Sequence, residues 1–184
     1  MAEKLQIHGT AIPGLLDIRL DVREDERGSF TEIYQATKLR ELGLPPFRPV
    51  QNNRSVNLEA GVTRGLHAEP WEKYVATMGR VLGVWVELRP VPEFGTVVTM
   101  ELTPDRAVFV PRGVANGYQT LEPNTIYSYL VNRHWREGVP YVGVNLFDPE
   151  LAIEWPIPPA QAIVSDKDMV NPMLADIQPM KVSR

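Results

Sequence analysis

The sequence predicts an all-β protein, folded as a sandwich or jelly roll with few short helices. Three observations carry this. The 184 residues include 17 prolines, above the usual share of about 5%, and proline is excluded from helix interiors and central strands. Short runs of β-branched, aromatic and apolar residues recur along most of the chain. Only one segment reads clearly as a helix.

Taken in order, Leu15–Asp21 and Gly28–Tyr34 read as short strands. The helix candidate runs from Thr37 to Leu42, and Gly43 is suited to close it. From Val50 onward strand signals dominate, with runs at Lys73–Thr77, Arg80–Leu88, Thr96–Leu102, Ala107–Pro111 and Thr125–Val131. Turn chemistry separates them at Met78-Gly79, Pro90–Gly95, Thr103–Arg106, Arg112–Gly117 and Glu122–Asn124. From Asp148 the chain is richer in proline, as in Trp155-Pro156-Ile157-Pro158-Pro159, and reads as an extended wrap. No repeat or linker divides it, so one domain is expected over 1–184.

Hydrophobic content of 43% and charged content of 23% are those of an ordinary globular protein. The first twenty residues hold no apolar run suited to a signal peptide. No stretch approaches the roughly 18 apolar residues of a membrane span. A cytoplasmic protein without membrane contact is expected. A net charge of −4 argues against general nucleic-acid binding, while local arginines can still hold an anionic small molecule.

With no cysteine, thiolate nucleophiles, disulfides and Cys-based zinc sites drop out together. Histidines number three, His8, His67 and His134, and no two of them are spaced as a ligand pair. There is no Gly-x-Ser-x-Gly turn and no Gly-rich phosphate loop. No metal site is expected.

Metal-independent proton chemistry remains. In Arg64-Gly65-Leu66-His67, with Lys73 six residues on, an imidazole stands between a guanidinium and an ammonium. A neutral imidazole can take a proton from carbon near neutral pH. Neighbouring cations can hold an anion and stabilise the charge that deprotonation creates. Asp166 and Asp168 are both candidates to orient the imidazole. Tyr127 and Tyr129 share a strand face and are either core packing or proton donors. Each residue also has a structural alternative: a packed histidine, a strand-end lysine, a solvated acidic turn.

The whole pattern resembles the dTDP-4-dehydrorhamnose 3,5-epimerases of deoxysugar biosynthesis. The matching segments include Asp25-Glu26-Arg27-Gly28-Ser29-Phe30-Thr31-Glu32, Gln51-Asn52-Asn53-Arg54-Ser55 and Gly61-Val62-Thr63-Arg64-Gly65-Leu66-His67. Further on come Lys73-Tyr74-Val75, Val110-Pro111-Arg112-Gly113-Val114-Ala115-Asn116-Gly117, Ile153-Glu154-Trp155-Pro156 and Ser165-Asp166-Lys167-Asp168. Most are weak singly; together, in family order from Asp25 to Asp168, they are specific.

The resemblance implies a cupin-like jelly-roll β-barrel that dimerises, and an epimerase with no metal or redox cofactor. It implies His67 as base, Asp168 as its orienting carboxylate, Lys73 and Arg64 in the site, and Tyr129 as the acid on the opposite sugar face. Arg27, Glu32, Gln51 and Asn53 would approach the nucleotide. The implied substrate is a dTDP-linked 4-keto-6-deoxy sugar, with Lys73 and Asn116 stabilising its enolate and a reductase as a pathway partner.

Three departures stand out. The usual Gly-Leu-His-aromatic-Gln is Gly65-Leu66-His67-Ala68-Glu69, the usual Ala-His-Gly is Ala115-Asn116-Gly117, and Trp135 stands where a tyrosine is common. They keep two alternatives open: a single-centre epimerase or ketoisomerase on a related nucleotide sugar, and a non-catalytic sugar-nucleotide-binding module.

Overall fold

Alternation along the strands explains why so many of them read as unbroken apolar runs. In a computed structural model, which describes residues 5–139 and 141–182, two antiparallel sheets lie face to face and each is also covered on its outer side. The ends of the domain expected over 1–184 lie outside the described residues.

The first sheet has the order β1 (Gln6–Gly9), β2 (Leu16–Arg19), β10 (Arg106–Val110), β7 (Lys73–Met78), β12 (Thr125–Val131), β5 (Gln51–Asn57). The second has the order β13 (Val142–Gly143), β6 (Thr63–Ala68), β11 (Val114–Thr120), β8 (Val81–Glu87), β9 (Val97–Leu102). A separate hairpin joins β3 (Val22–Asp25) to β4 (Gly28–Thr31).

Successive side chains of a strand point to opposite faces. Val75, Val108 and Val110 of the first sheet therefore meet Val81, Trp85 and Val114 of the second in the central core. Their neighbours point outward. Tyr74, Ala76 and Phe109 pack under Leu39 of helix α1 (Ala36–Glu41), with Leu44 and Phe47. Val84, Val86 and Ala115 pack under Leu146, Leu151, Leu174 and Ile177 of the C-terminal segment. Each fully buried side chain of this kind contributes about 1.5–3 kcal/mol.

The all-β jelly-roll expectation holds, with two sheets that stay separately hydrogen-bonded instead of closing into one continuous barrel. Helix α1 starts one residue earlier than expected, with the Gln35 side chain accepting from the Lys38 N–H, and Gly43 follows at φ +103°. The proline-rich segment wraps the second sheet, and it folds into a short helix α2 at Asp166–Met169 instead of a plain polar turn.

Arg112–Gly117 is not a turn throughout. Only Arg112-Gly113 turns, and β11 begins at Val114. Gly117 serves close packing: a Cβ there would meet the Arg64 carbonyl oxygen at 2.6 Å and Leu66 Cδ2 at 2.7 Å. Besides Gln6–Gly9, Val22–Asp25, Val114–Thr120 and Val142–Gly143, two further strands were not expected as such, Gln51–Asn57 and Thr63–Ala68. Their polar and glycine-containing sequences have weak strand propensity, and pairing with β12 and β11 decides their state. Among the described residues no helix is long and apolar enough to cross a membrane.

Candidate active site

The glycine pair Gly65 and Gly117 lets β6 and β11 approach closely. A Cβ on Gly65 would come within 2.6 Å of Gly117 Cα. The pairing shifts register between Asn116 and Tyr118 and brings Asn116 opposite His67. Residues opposite each other on antiparallel strands project to the same side, so both reach the space between the sheets.

His67 Nε2 lies 2.8 Å from Asp168 Oδ1. A carboxylate can only accept, so Nε2 carries the proton and neutral His67 keeps its lone pair on Nδ1, the form a base requires. Asp168 is itself held. It lies in α2, whose Ser165 cap accepts from the Asp168 N–H at 3.2 Å, and its Oδ2 accepts from the Gly65 N–H at 3.4 Å. Burial pushes the Asp168 carboxyl upward, but the hydrogen bond and charge of His67 and the other donors outweigh it and hold the group below its usual range.

From the facing sheet, β7 and β12 supply Lys73 and Tyr129. Lys73 is 4% exposed, and its ammonium donates to Glu69 Oε1 at 2.6 Å and to Asn116 Oδ1 at 2.5 Å. Such burial is tolerated because the charge is paired and hydrogen-bonded. Its Nζ stands 5.1 Å from the centre of the Tyr129 ring. Burial, followed by the Glu69 charge, pushes the Tyr129 phenol above its ordinary value, partly offset by Asn53 and Arg64. Tyr127, two residues back, lies deeper, stacked on Tyr118 with ring centres 4.0 Å apart.

A cleft of 330 Å³ opens here, lined by polar groups including Gln51, Asn53, His67, Glu69, Tyr129 and Lys167. The aromatic side chains lining it are buried Trp71 and the exposed Trp135 and Tyr141. A base with an orienting carboxylate, a buried ammonium and a phenol around one cavity can deprotonate carbon next to a carbonyl and return the proton.

Residues 9–176 match the family profile described as dTDP-4-dehydrorhamnose 3,5-epimerase. The chain belongs to this family. A relative from Streptococcus pyogenes serotype M6, named Protein RmlC homolog, is 46% identical over 92% of this chain and 89% of its own length. The solved structure of RmlC from Streptococcus suis in complex with dTDP-D-xylose superposes with a TM-score of 0.93 at 41% identity, covering 98% of this chain and 96% of that one. RmlC from Legionella pneumophila in complex with dTDP-4-keto-L-rhamnose gives a TM-score of 0.86 at 32% identity, over 95% of each chain.

Against this epimerase family, the residues expected from sequence divide into two groups. His67, Asp168, Lys73, Tyr129, Asn116, Gln51 and Asn53 converge on the cleft or on residues that line it. Gln51 Nε2 donates to Asn53 Oδ1 at 2.8 Å, and its Oε1 accepts from the Trp135 N–H at 3.1 Å, so it ties the rim to the floor. Arg64 is exposed, with Nε donating to Asn57 Oδ1 at 3.2 Å. Arg64, Arg27 and Glu32 do not line this cleft. Arg27 is exposed on the β3–β4 hairpin and pairs with Asp25, while Glu32 pairs with Lys38 of α1.

Six lining residues carried no role in the reading from sequence: Glu69, Trp71, Val131, Trp135, Tyr141 and Lys167. Glu69 and Trp135 were visible only as departures from the family pattern. Tyr141 packs edge-on to His67 with ring centres 5.3 Å apart, and the Lys167 ammonium lies 4.8 Å from the Tyr141 ring centre. Lys167 stands next to Asp168 in the motif Ser165-Asp166-Lys167-Asp168, the one signal that could have found it.

Proposed function

We propose that this chain inverts C3, C5 or both of a thymidine-diphosphate 4-keto-6-deoxy sugar by proton transfer next to the keto group. The keto group acidifies the C–H bonds on its two neighbouring carbons. Neutral His67 takes one of these protons, and Asp168 stabilises the imidazolium that results. Lys73 and Asn116 donate to the enolate oxygen, and Tyr129 returns a proton from the other face. General acid catalysis of this kind contributes typically about 10²–10⁴-fold.

The observation that carries the reading is that His67 and Tyr129 line one cleft, with buried Asp168 bonded to His67 and buried Lys73 bonded to the lining residue Glu69. A module that only bound the nucleotide sugar would have no use for a base whose tautomer is set by a buried carboxylate. The Streptococcus suis and Legionella pneumophila relatives were each solved with a dTDP-linked sugar bound. Gln51, Asn53 and Arg64 are assigned to the nucleotide, with Arg64 suited to the diphosphate through charge-assisted hydrogen bonds.

Arg27 and Glu32 enter the proposal through a two-fold dimer in which the β3–β4 hairpin reaches the partner's cleft. The hairpin pairs with neither sheet and exposes Phe30 at its tip strand, and two-fold dimers are the commonest homo-oligomers. A strictly monomeric mass at high protein concentration would exclude this arrangement. The product keeps its keto group, so a reductase is the class of enzyme expected to consume it, in the cytoplasm.

A single-centre epimerase is the second reading, favoured by Trp135 at the cleft rim and Asn116 beside Lys73. Incubation with the keto sugar in heavy water tests both, reading deuterium at C3 and C5 separately. Incorporation at both centres supports double epimerisation, and incorporation at one supports the second reading. Binding without any incorporation would sink the enzymatic proposal.

A further inference from the structure

Glu69 is the one carboxylate among the described residues that line the cleft, and the proton transfers above do not use it. It follows β6 and stands four residues before Lys73, with its side chain 15% exposed. Its Oε1 accepts from the Lys73 ammonium at 2.6 Å, while Asn116 accepts a second N–H at 2.5 Å. An ammonium has three donors, so one is left for a substrate oxygen. Beyond that ammonium, 5.1 Å away, is the ring of Tyr129. A positive charge thus stands close to both a negative charge and a phenol, in a recess where charges are poorly screened.

We infer that Glu69 is a positioning residue: acting through Lys73, it fixes the ammonium beside Tyr129 and keeps the phenol as the proton carrier for the return step. This rests on the reading of Tyr129 as the acid. A lone cation beside a phenol favours the phenolate. A phenolate has no proton to return. Glu69 compensates that cation and itself repels a phenolate.

The other groups facing Tyr129 do not supply this. Lys73 of β7 and Arg64 of β6 are cations, which favour phenolate. Asn53 of β5 is neutral and donates toward the phenol oxygen. Tyr118 of β11 and Tyr127 on the same strand are phenols that burial keeps protonated, and the His67 imidazole lies across the cleft. Burial and the Glu69 charge are the first two influences pushing Tyr129 upward.

The test compares wild type, Glu69→Gln, Glu69→Asp and Tyr129→Phe in heavy water with the thymidine-diphosphate 4-keto-6-deoxy sugar, from neutral to alkaline pH. Glutamine keeps an acceptor for Lys73 and loses the charge; aspartate keeps the charge. The quantity read is epimer formed per deuterium incorporated, which cancels changes in the His67 step. In Glu69→Gln this ratio should fall off at a pH about one unit below that of wild type, a tenfold difference in proton concentration. Glu69→Asp should stay close to wild type.

An unchanged ratio profile in Glu69→Gln would overturn the inference, as would an equal shift in Glu69→Asp. Equal loss of incorporation and inversion at every pH in a folded Glu69→Gln protein would also overturn it, by making Glu69 part of proton abstraction. Unchanged inversion in Tyr129→Phe would overturn the acid assignment beneath it, and the role of Glu69 with it. That result is distinct from a Glu69 variant that behaves as wild type while Tyr129→Phe is impaired.

Discussion

Asp168 lies 101 positions after His67 in the chain and 2.8 Å from it in space. The contact joins the second sheet to helix α2 of the C-terminal wrap. Wrapping therefore does two things at once: it covers the outer face of the sheet and delivers the carboxylate that sets the histidine tautomer.

His67→Ala should stay folded and lose deuterium incorporation by about 10²–10⁴-fold, the range expected for removing a general base. Isotope exchange into the keto sugar, followed by NMR, measures it. Wild-type exchange in a folded variant would remove His67 from the mechanism.

Asp168→Asn should slow exchange and also change stability in a pH-dependent way. The folded-state carboxyl titrates below its ordinary value of 3.8. Its ionised form therefore stabilises the fold above about pH 4, and that contribution is lost as pH falls through the lower folded value. Melting temperatures of wild type and Asp168→Asn should differ most near neutral pH and converge below about pH 4. A gap that stays constant down to pH 3 would show that the carboxylate charge adds nothing to stability.

Tyr129→Phe should still bind substrate and still allow His67 to exchange a proton, while inversion slows strongly. Loss of the hydroxyl removes the proton donor and leaves the ring beside Lys73 in place. Comparing deuterium incorporation with epimer formation in one sample separates the two steps. Equal slowing of both would assign Tyr129 to binding instead.

Gly117→Ala should be destabilising far beyond an ordinary surface change. The added Cβ would meet a backbone carbonyl oxygen at 2.6 Å, so β6 and β11 must move apart. Overpacking of this kind costs about 1–3 kcal/mol, and each kcal/mol lowers Tm by roughly 2–4 °C in a chain of this size. Because the same pair of strands brings Asn116 opposite His67, activity should fall with stability. Thermal melting and exchange assays on one preparation check both.

Exhaustive chelation should leave exchange unchanged. Three histidines and no cysteine leave the chain few ligands for a tightly held transition metal. Activity lost on chelation and restored by one divalent metal would contradict this.

The sequence by itself determined the all-β class, the order of most strands and the family pattern. These are encoded locally, in side-chain alternation, turn residues and short motifs, and Thr125–Val131 matches its observed strand at both ends. It also singled out His67 and Lys73 in one motif, while Asp166 and Asp168 stood level as the carboxylate until the family resemblance pointed to Asp168. What only the tertiary structure decided depends on partners distant in the chain. Gln51–Asn57 and Thr63–Ala68 become strands through pairing with β12 and β11, not through their own propensity. The Glu69–Lys73–Asn116 cluster forms because β6, β7 and β11 meet at one end of the sandwich, with Asn116 43 positions from the ammonium it accepts from. Spacing along a chain does not record which face a turn presents, so Arg27 and Glu32, which the resemblance assigned to the nucleotide, stand outside the cleft in this fold.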